Sequence, residues 1–206
     1  MNRKDRRMQQ ATKRVKARTL TKNHTSFAEF FLGRSMANGR ECGGCVACCE
    51  VLAIDQPELQ KPADELCQHC TGSGCGIWAT RPPVCENWYC VWRRISALPD
   101  WARPDKLGVM FEMFTNHTNE FVLKKRYIRG FSLKGIDHFA DPRVLEVIEF
   151  FKQAPVAVWL EQDNGTMTCV HPSSPICQAL LTDTSGQTPE QDAEISRWKE
   201  IYSDLH

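Results

Sequence analysis

Nine of the eleven cysteines in this 206-residue chain fall between Cys42 and Cys90. Their order is Cys42-x2-Cys45-x2-Cys48-Cys49, then Cys67-x2-Cys70-x4-Cys75-x9-Cys85-x4-Cys90. Sulfur at this density serves disulfide cross-linking, thiol–disulfide catalysis or metal ligation. A disulfide framework needs an oxidising compartment, and the chain carries no export signal. Adjacent Cys48 and Cys49 would bridge only through a strained ring, and an odd number leaves one thiol over. Thiol catalysis needs Cys-x-x-Cys at a helix start inside a β-α-β pattern, which surrounds neither Cys45-Val46-Ala47-Cys48 nor Cys67-Gln68-His69-Cys70.

Metal ligation fits the spacing. Across a tight turn two thiolates converge on one cation, and the small residues of Cys42-Gly43-Gly44-Cys45 let backbone N–H groups turn toward the sulfurs. Structural zinc takes two separated pairs, whereas iron–sulfur clusters draw three cysteines from a compact run and a fourth from elsewhere. Cys42, Cys45 and Cys48 have ferredoxin-like gaps without the Cys-Pro close. Both metals accept all-thiolate shells, so the ion is zinc or iron, the latter in a cluster. The candidate ligands are Cys42, Cys45, Cys48, Cys49, Cys67, Cys70, Cys75, Cys85 and Cys90, with Cys49 serving a second ion or staying a spare thiol. His69 is a candidate substitute for one sulfur or an outer hydrogen-bond donor. Ile77, Trp78, Trp88, Tyr89 and Trp92 are expected to wrap the site in apolar surface, and Arg81 with Arg93 or Arg94 to offset thiolate charge. Pro82-Pro83 stiffens the approach to Cys85.

The run from Cys42 to Cys49, followed by Cys67-Gln68-His69-Cys70, Gly74-Cys75-Gly76-Ile77-Trp78-Ala79-Thr80-Arg81-Pro82-Pro83-Val84-Cys85 and Trp88-Tyr89-Cys90-Val91-Trp92, resembles the CxxCxxCC family of YkgJ-like cysteine-cluster proteins. The resemblance covers residues 41–94, and Arg103-Pro104-Asp105-Lys106 looks like one branch of that family. Family members have Tyr where Trp78 stands and Arg where Glu86 stands. The resemblance implies a zinc- or iron-chelating domain of the kind named as iron–sulfur proteins, without fixing the metal or a reaction.

The elements that must position these thiols come from the rest of the chain. Glycine- and proline-rich sequence over 41–103 holds too little apolar material to bury a core alone, so metal stapling is expected there. Residues 106–114 and 121–128 read as strands around a polar turn. Asp141-Pro142 caps a helix carrying Val144, Leu145, Val147, Ile148 and Phe151 up to Gln153. Strands over 156–160 and 167–170 form a second hairpin, and 189–202 a final helix after a linker. The expected class is α+β: an irregular metal-stapled cysteine module on a small antiparallel sheet with helices. The segments are a basic tail (1–22), a helical lead-in (23–40), the cysteine module (41–103), a small α+β domain (104–182), and a linker with the C-terminal helix (183–206).

Charge and composition narrow the function. Residues 1–22 hold nine Lys/Arg against one acid (+8), leaving 17 against 24 (−7) to make the net +1. That tail reads as a solvated arm, or as a contact for nucleic acid or an acidic partner. No apolar run reaches the roughly 18 residues of a membrane span, so a soluble, cytoplasmic chain is expected. Phosphate-loop, His-Glu-x-x-His and Gly-x-Ser-x-Gly motifs are absent. Asp137, His138 and Asp141 read as loop and cap residues, and Cys169 and Cys177 as buried packing residues. The expected function is metal binding in a structural or metal-handling role, with a partner protein on a metal-held surface. The alternative is an iron–sulfur redox enzyme or electron-transfer accessory.

Overall fold

The structure, a computed structural model, describes residues 36–116, 118–162 and 164–203. The basic tail and residues 23–35 of the expected helical lead-in lie outside the described residues, and residues 36–40 form no helix. Glycines and prolines keep the elements of the cysteine segment short. They are α1 (Ala47–Val51), an antiparallel hairpin of β1 (Ile54–Gln56) and β2 (Leu59–Lys61), α2 (Pro83–Glu86) and α3 (Val91–Arg94). Helix α4 (Pro104–Leu107) then feeds the main sheet.

That sheet is four-stranded, in the order β3 (Val109–Thr115), β4 (Arg126–Ser132), β5 (Ala157–Glu161) and β6 (Met167–His171). The outer pairs are antiparallel, but β4 and β5 run parallel, which corrects the all-antiparallel expectation. The cause is the connection: the chain leaves β4, crosses through helix α5 (Pro142–Phe151) and enters β5 in the same direction, as a strand–helix–strand crossover requires. Asp141 caps α5 as its sequence implies, accepting the Arg143 N–H at 2.8 Å, and Pro142 takes the first helical position. The second strand starts at Arg126 rather than at 121, because residues 122–124 form a 3-10 turn that buries Leu123 completely.

Alternation along the strands gives the sheet two covered faces. Phe111, Ile128, Val158 and Leu160 meet α5, with the Phe111 and Phe151 rings edge-on at 5.0 Å. Gly130 lies opposite Phe111, where an added Cβ would sit 2.7 Å from that ring, so glycine is what admits the aromatic. On the other face Tyr127, Ala157 and Trp159 meet α6 (Ser174–Thr182) and α7 (Pro189–Ser203) through Ile176, Leu180, Ile195 and Trp198. The Tyr202 hydroxyl on α7 donates to the Arg126 carbonyl at 2.6 Å and accepts the Ala157 N–H at 3.2 Å. Among the described residues no helix is long and apolar enough to cross a membrane.

The cysteine segment does not stand apart from this core. Ala47, Val51, Val91, Trp92, Ile95 and Leu98 belong to one continuous apolar cluster with β3, β4, α5 and β5, and Val91 and Ile95 are 0% exposed. Arg40 fixes the end of α3: its guanidinium donates to the carbonyls of Trp92, Ile95, Ser96 and Leu98 and lies over the Trp92 ring at 4.7 Å. Carbonyls left over at a helix terminus are thereby satisfied by a cation suited to the negative end.

Candidate functional site

Tight turns present the first thiols. The Cys45 N–H donates to the Cys42 carbonyl at 3.0 Å across Gly43, whose φ of +55° suits a residue without Cβ. The Cys70 N–H closes the matching turn onto the Cys67 carbonyl at 2.9 Å. Between Cys70 and Cys75 the glycine-rich stretch reverses the chain: Thr71 N–H donates to the Gly74 carbonyl at 2.9 Å, and the two cysteines face each other as a β-bridge. Cys48 and Cys49 lie in α1, Cys85 lies in α2 after the Pro82-Pro83 entry, and Cys90 immediately precedes α3.

Eight of the nine candidate cysteines, Cys42, Cys45, Cys48, Cys49, Cys67, Cys75, Cys85 and Cys90, line one cavity of about 340 Å³. The ninth, Cys70, is in hydrogen-bond contact with Cys49. The structure therefore gathers all nine from positions up to Cys90, and every one is a free thiol. Among the described residues no three His, Cys, Asp or Glu side chains are set to hold a metal ion. His69 and all five of the expected aromatic and aliphatic residues, Ile77, Trp78, Trp88, Tyr89 and Trp92, also line the cavity, although Trp78 turns 48% of its surface to solvent.

Backbone N–H groups aim at sulfur around the cavity. Ala47 and Asp105 direct theirs to Cys45, Trp92 and Arg93 theirs to Cys90, and Gly72 reaches the Cys70 sulfur at 3.4 Å. Burial nevertheless pushes the thiols up. Cys42, Cys45 and Cys85 are raised chiefly by loss of water, and Cys90 is pushed up to about 12 for the same reason, with Cys42 and Cys45 adding to it. Cys49 is raised as well, first by the hydrogen bond it donates to Cys48 and then by burial. At these five cysteines the neutral thiol is favoured, and added positive charge would oppose that.

Some of that charge is already in place. Arg93 is 6% exposed; its Nη2 reaches the Met36 sulfur at 3.1 Å, while its Nε and Nη1 have no acceptor among the described residues. Arg81 lies over the Trp78 ring at 3.9 Å and donates to the Trp78 carbonyl at 2.7 Å, yet its buried Nε is also unpartnered. Both guanidinium groups line the cavity and act on Cys42. Arg103 is clamped by Asp105 in two hydrogen bonds at 2.6 and 2.7 Å beside Cys45, and this pairing holds the Asp105 carboxyl below the usual range. Lys61, donating to the Glu50 and Pro62 carbonyls at 2.8 and 2.7 Å, brings a further cation toward Cys49 and Cys67.

Sequence reasoning missed the opposite wall, which the sheet supplies. Met110, Glu112 and Phe114 come from alternate positions of β3, joined by Arg129 of β4. Glu112 is 4% exposed and accepts the Trp88 indole N–H at 3.1 Å and the Arg129 Nε–H at 2.8 Å. Arg129 also reaches Glu161 at 3.3 Å and lies between the rings of Phe114 and Phe131. Burial raises Glu161 despite that cation. The available signal was an acid inside the apolar run Val109-Met110-Phe111-Glu112-Met113-Phe114.

The remaining expected residues fall elsewhere. Asp141 is a cap, and the His138 Nε2–H donates to the Leu107 carbonyl at 2.8 Å, so this cluster has loop and cap roles. Cys169 and Cys177 are half-buried and meet each other beneath α6, at the β6 side of the sheet and away from the cavity. No protein-family model, curated protein or solved structure matches this chain.

Proposed function

We propose that the chain is a metal-binding protein whose cysteine-lined cavity holds zinc or an iron–sulfur cluster, in a structural or metal-handling role. The observation that carries this reading is that eight free thiols line one cavity, with Cys70 in contact with Cys49, and that the buried Arg81 and Arg93 nitrogens beside them lack acceptors among the described residues. An all-sulfur donor set suits these soft metals. A bound cation supplies the charge that lets the thiols ionise at neutral pH, and it ties together the turns that bear them. Once ionised, the sulfurs become acceptors for the orphaned guanidinium groups and for the N–H groups of Ala47, Gly72, Trp92 and Arg93. The motif resemblance to CxxCxxCC cysteine-cluster proteins supports the same assignment, and a reducing, cytoplasmic setting accords with it.

Metal analysis and a visible spectrum of anaerobically purified protein test the proposal. At least one equivalent of zinc or iron per chain is expected, falling with thermal stability in Cys42→Ser. Less than one equivalent, or full metal content in that variant together with variants of Cys67 and Cys90, overturns it. A second reading, an electron-carrying iron–sulfur centre, is favoured by the aromatic lining of Trp88, Tyr89 and Trp92. Absorption near ~400 nm that bleaches reversibly on reduction selects it over zinc.

A further inference from the structure

We propose that Cys169 and Cys177 form a second thiol site, independent of the cavity: a dithiol that exchanges with low-molecular-weight disulfides and closes into a bond between β6 and α6. Cys169 is paired with Trp159 in the β5–β6 register, on the face that α6 covers, and Cys177 packs against the same apolar cluster from α6. The two thiols are in hydrogen-bond contact, and the Cys169 sulfur also lies 3.3 Å from the His171 carbonyl. Both residues are half-buried, and the exchange requires entry of a small disulfide to the pair.

Their surroundings assign different roles. The hydrogen bond from Cys169 pulls Cys177 below the ordinary thiol range, and the Lys124 ammonium adds to that effect. The same contact pushes Cys169 up. Cys177 is therefore the attacking thiolate and Cys169 the resolving thiol. The Cys177 sulfur attacks one sulfur of the disulfide RSSR, forming a mixed disulfide and releasing RS⁻, which takes up a proton. Cys169 loses its proton to water, its sulfur attacks Cys177, and the second RS⁻ leaves and is protonated. Two hydrogens and two electrons pass to the small disulfide, giving two RSH and one intramolecular disulfide.

The sequence makes the test direct, because no Lys or Arg lies between Lys152 and Arg197 and both cysteines share one tryptic peptide that contains no other. The folded, reduced, full-length protein is incubated with oxidised glutathione, its free thiols are alkylated, and peptide 153–197 is weighed. The expected product is that peptide lighter by two hydrogens and closed to alkylation. In the untreated wild-type protein Cys177 is expected to alkylate about tenfold faster than Cys169. Cys169→Ser should accumulate one glutathione on Cys177, whereas Cys177→Ser should leave Cys169 at least about tenfold less modified. Two alkylatable thiols after prolonged native treatment, equal alkylation rates, or glutathione on Cys169 in Cys177→Ser would each overturn the proposal. The wild-type measurements need no variant to fold, and the cavity cysteines report on separate peptides.

Discussion

Glu112 is the bolt between the cysteine segment and the sheet, and its removal gives the most discriminating test of how the two are joined. Its carboxylate is 4% exposed and accepts from Trp88 on one side and Arg129 on the other. Glu112→Ala leaves the indole N–H without its acceptor and Arg129 with only Glu161 at 3.3 Å. Removing one member of a fully buried ion pair costs about 3–5 kcal/mol. Here Arg129 keeps 23% side-chain exposure and a second carboxylate. The expected loss is therefore about 2–4 kcal/mol, which includes the stranded Trp88 N–H. Urea unfolding followed by far-ultraviolet circular dichroism reads it: with a slope near 2 kcal/mol/M, the midpoint should fall by about 1–2 M. Glu112→Ala combined with Arg129→Met should be less destabilised than the single variant, because no uncompensated cation stays behind. A single-variant loss under about 0.5 kcal/mol, or a double variant costing the sum of the two singles, would refute the coupling.

Other outcomes follow from the same geometry. Tyr202→Phe strands the Arg126 carbonyl and the Ala157 N–H and should cost about 1–3 kcal/mol in the same assay. Burial pushes the Tyr202 hydroxyl up to about 12, so its contribution is whole below the free tyrosine value near 10 and drains away as pH rises from there through 12. Wild type should accordingly lose more stability than Tyr202→Phe across that alkaline window; equal pH slopes would contradict the assignment. Gly130→Ala drives a Cβ against the Phe111 ring and should lower stability by about 1–3 kcal/mol, with partial recovery in Phe111→Leu, as measured by thermal melting. Removing metal from the loaded protein with a strong chelator should lower the melting temperature and raise the number of thiols reactive to a disulfide reagent; an unchanged melt and thiol count would contradict the metal assignment.

The turns that carry the thiols were more legible in the sequence than the walls of the cavity. Spacing and small residues indicated a tight turn at Cys42-Gly43-Gly44-Cys45, which forms, and Cys67-x2-Cys70 closes in the same way. Asp141-Pro142 announced α5 because a cap and a fixed φ act within one turn. Parallel pairing of β4 with β5 depends on where the crossover returns, which no local pattern encodes. Residues 122–124 imitate a strand because a 3-10 turn also buries Leu123, and α6 was not anticipated, although Pro175 sits in its first turn, where proline is tolerated. Glu112 and Arg129 reach the cavity from strands far along the chain, so only Glu112's place in an apolar run hinted at them.

The apolar cluster running from Ala47 and Val91 into β3 and α5 also bears on portability. A cysteine cassette cut at residue 103 and grafted onto another scaffold would carry Val91 and Ile95 bare into water, since the groups that dry them belong to the strands it left behind. Any transplant of these thiols would have to take the host sheet along.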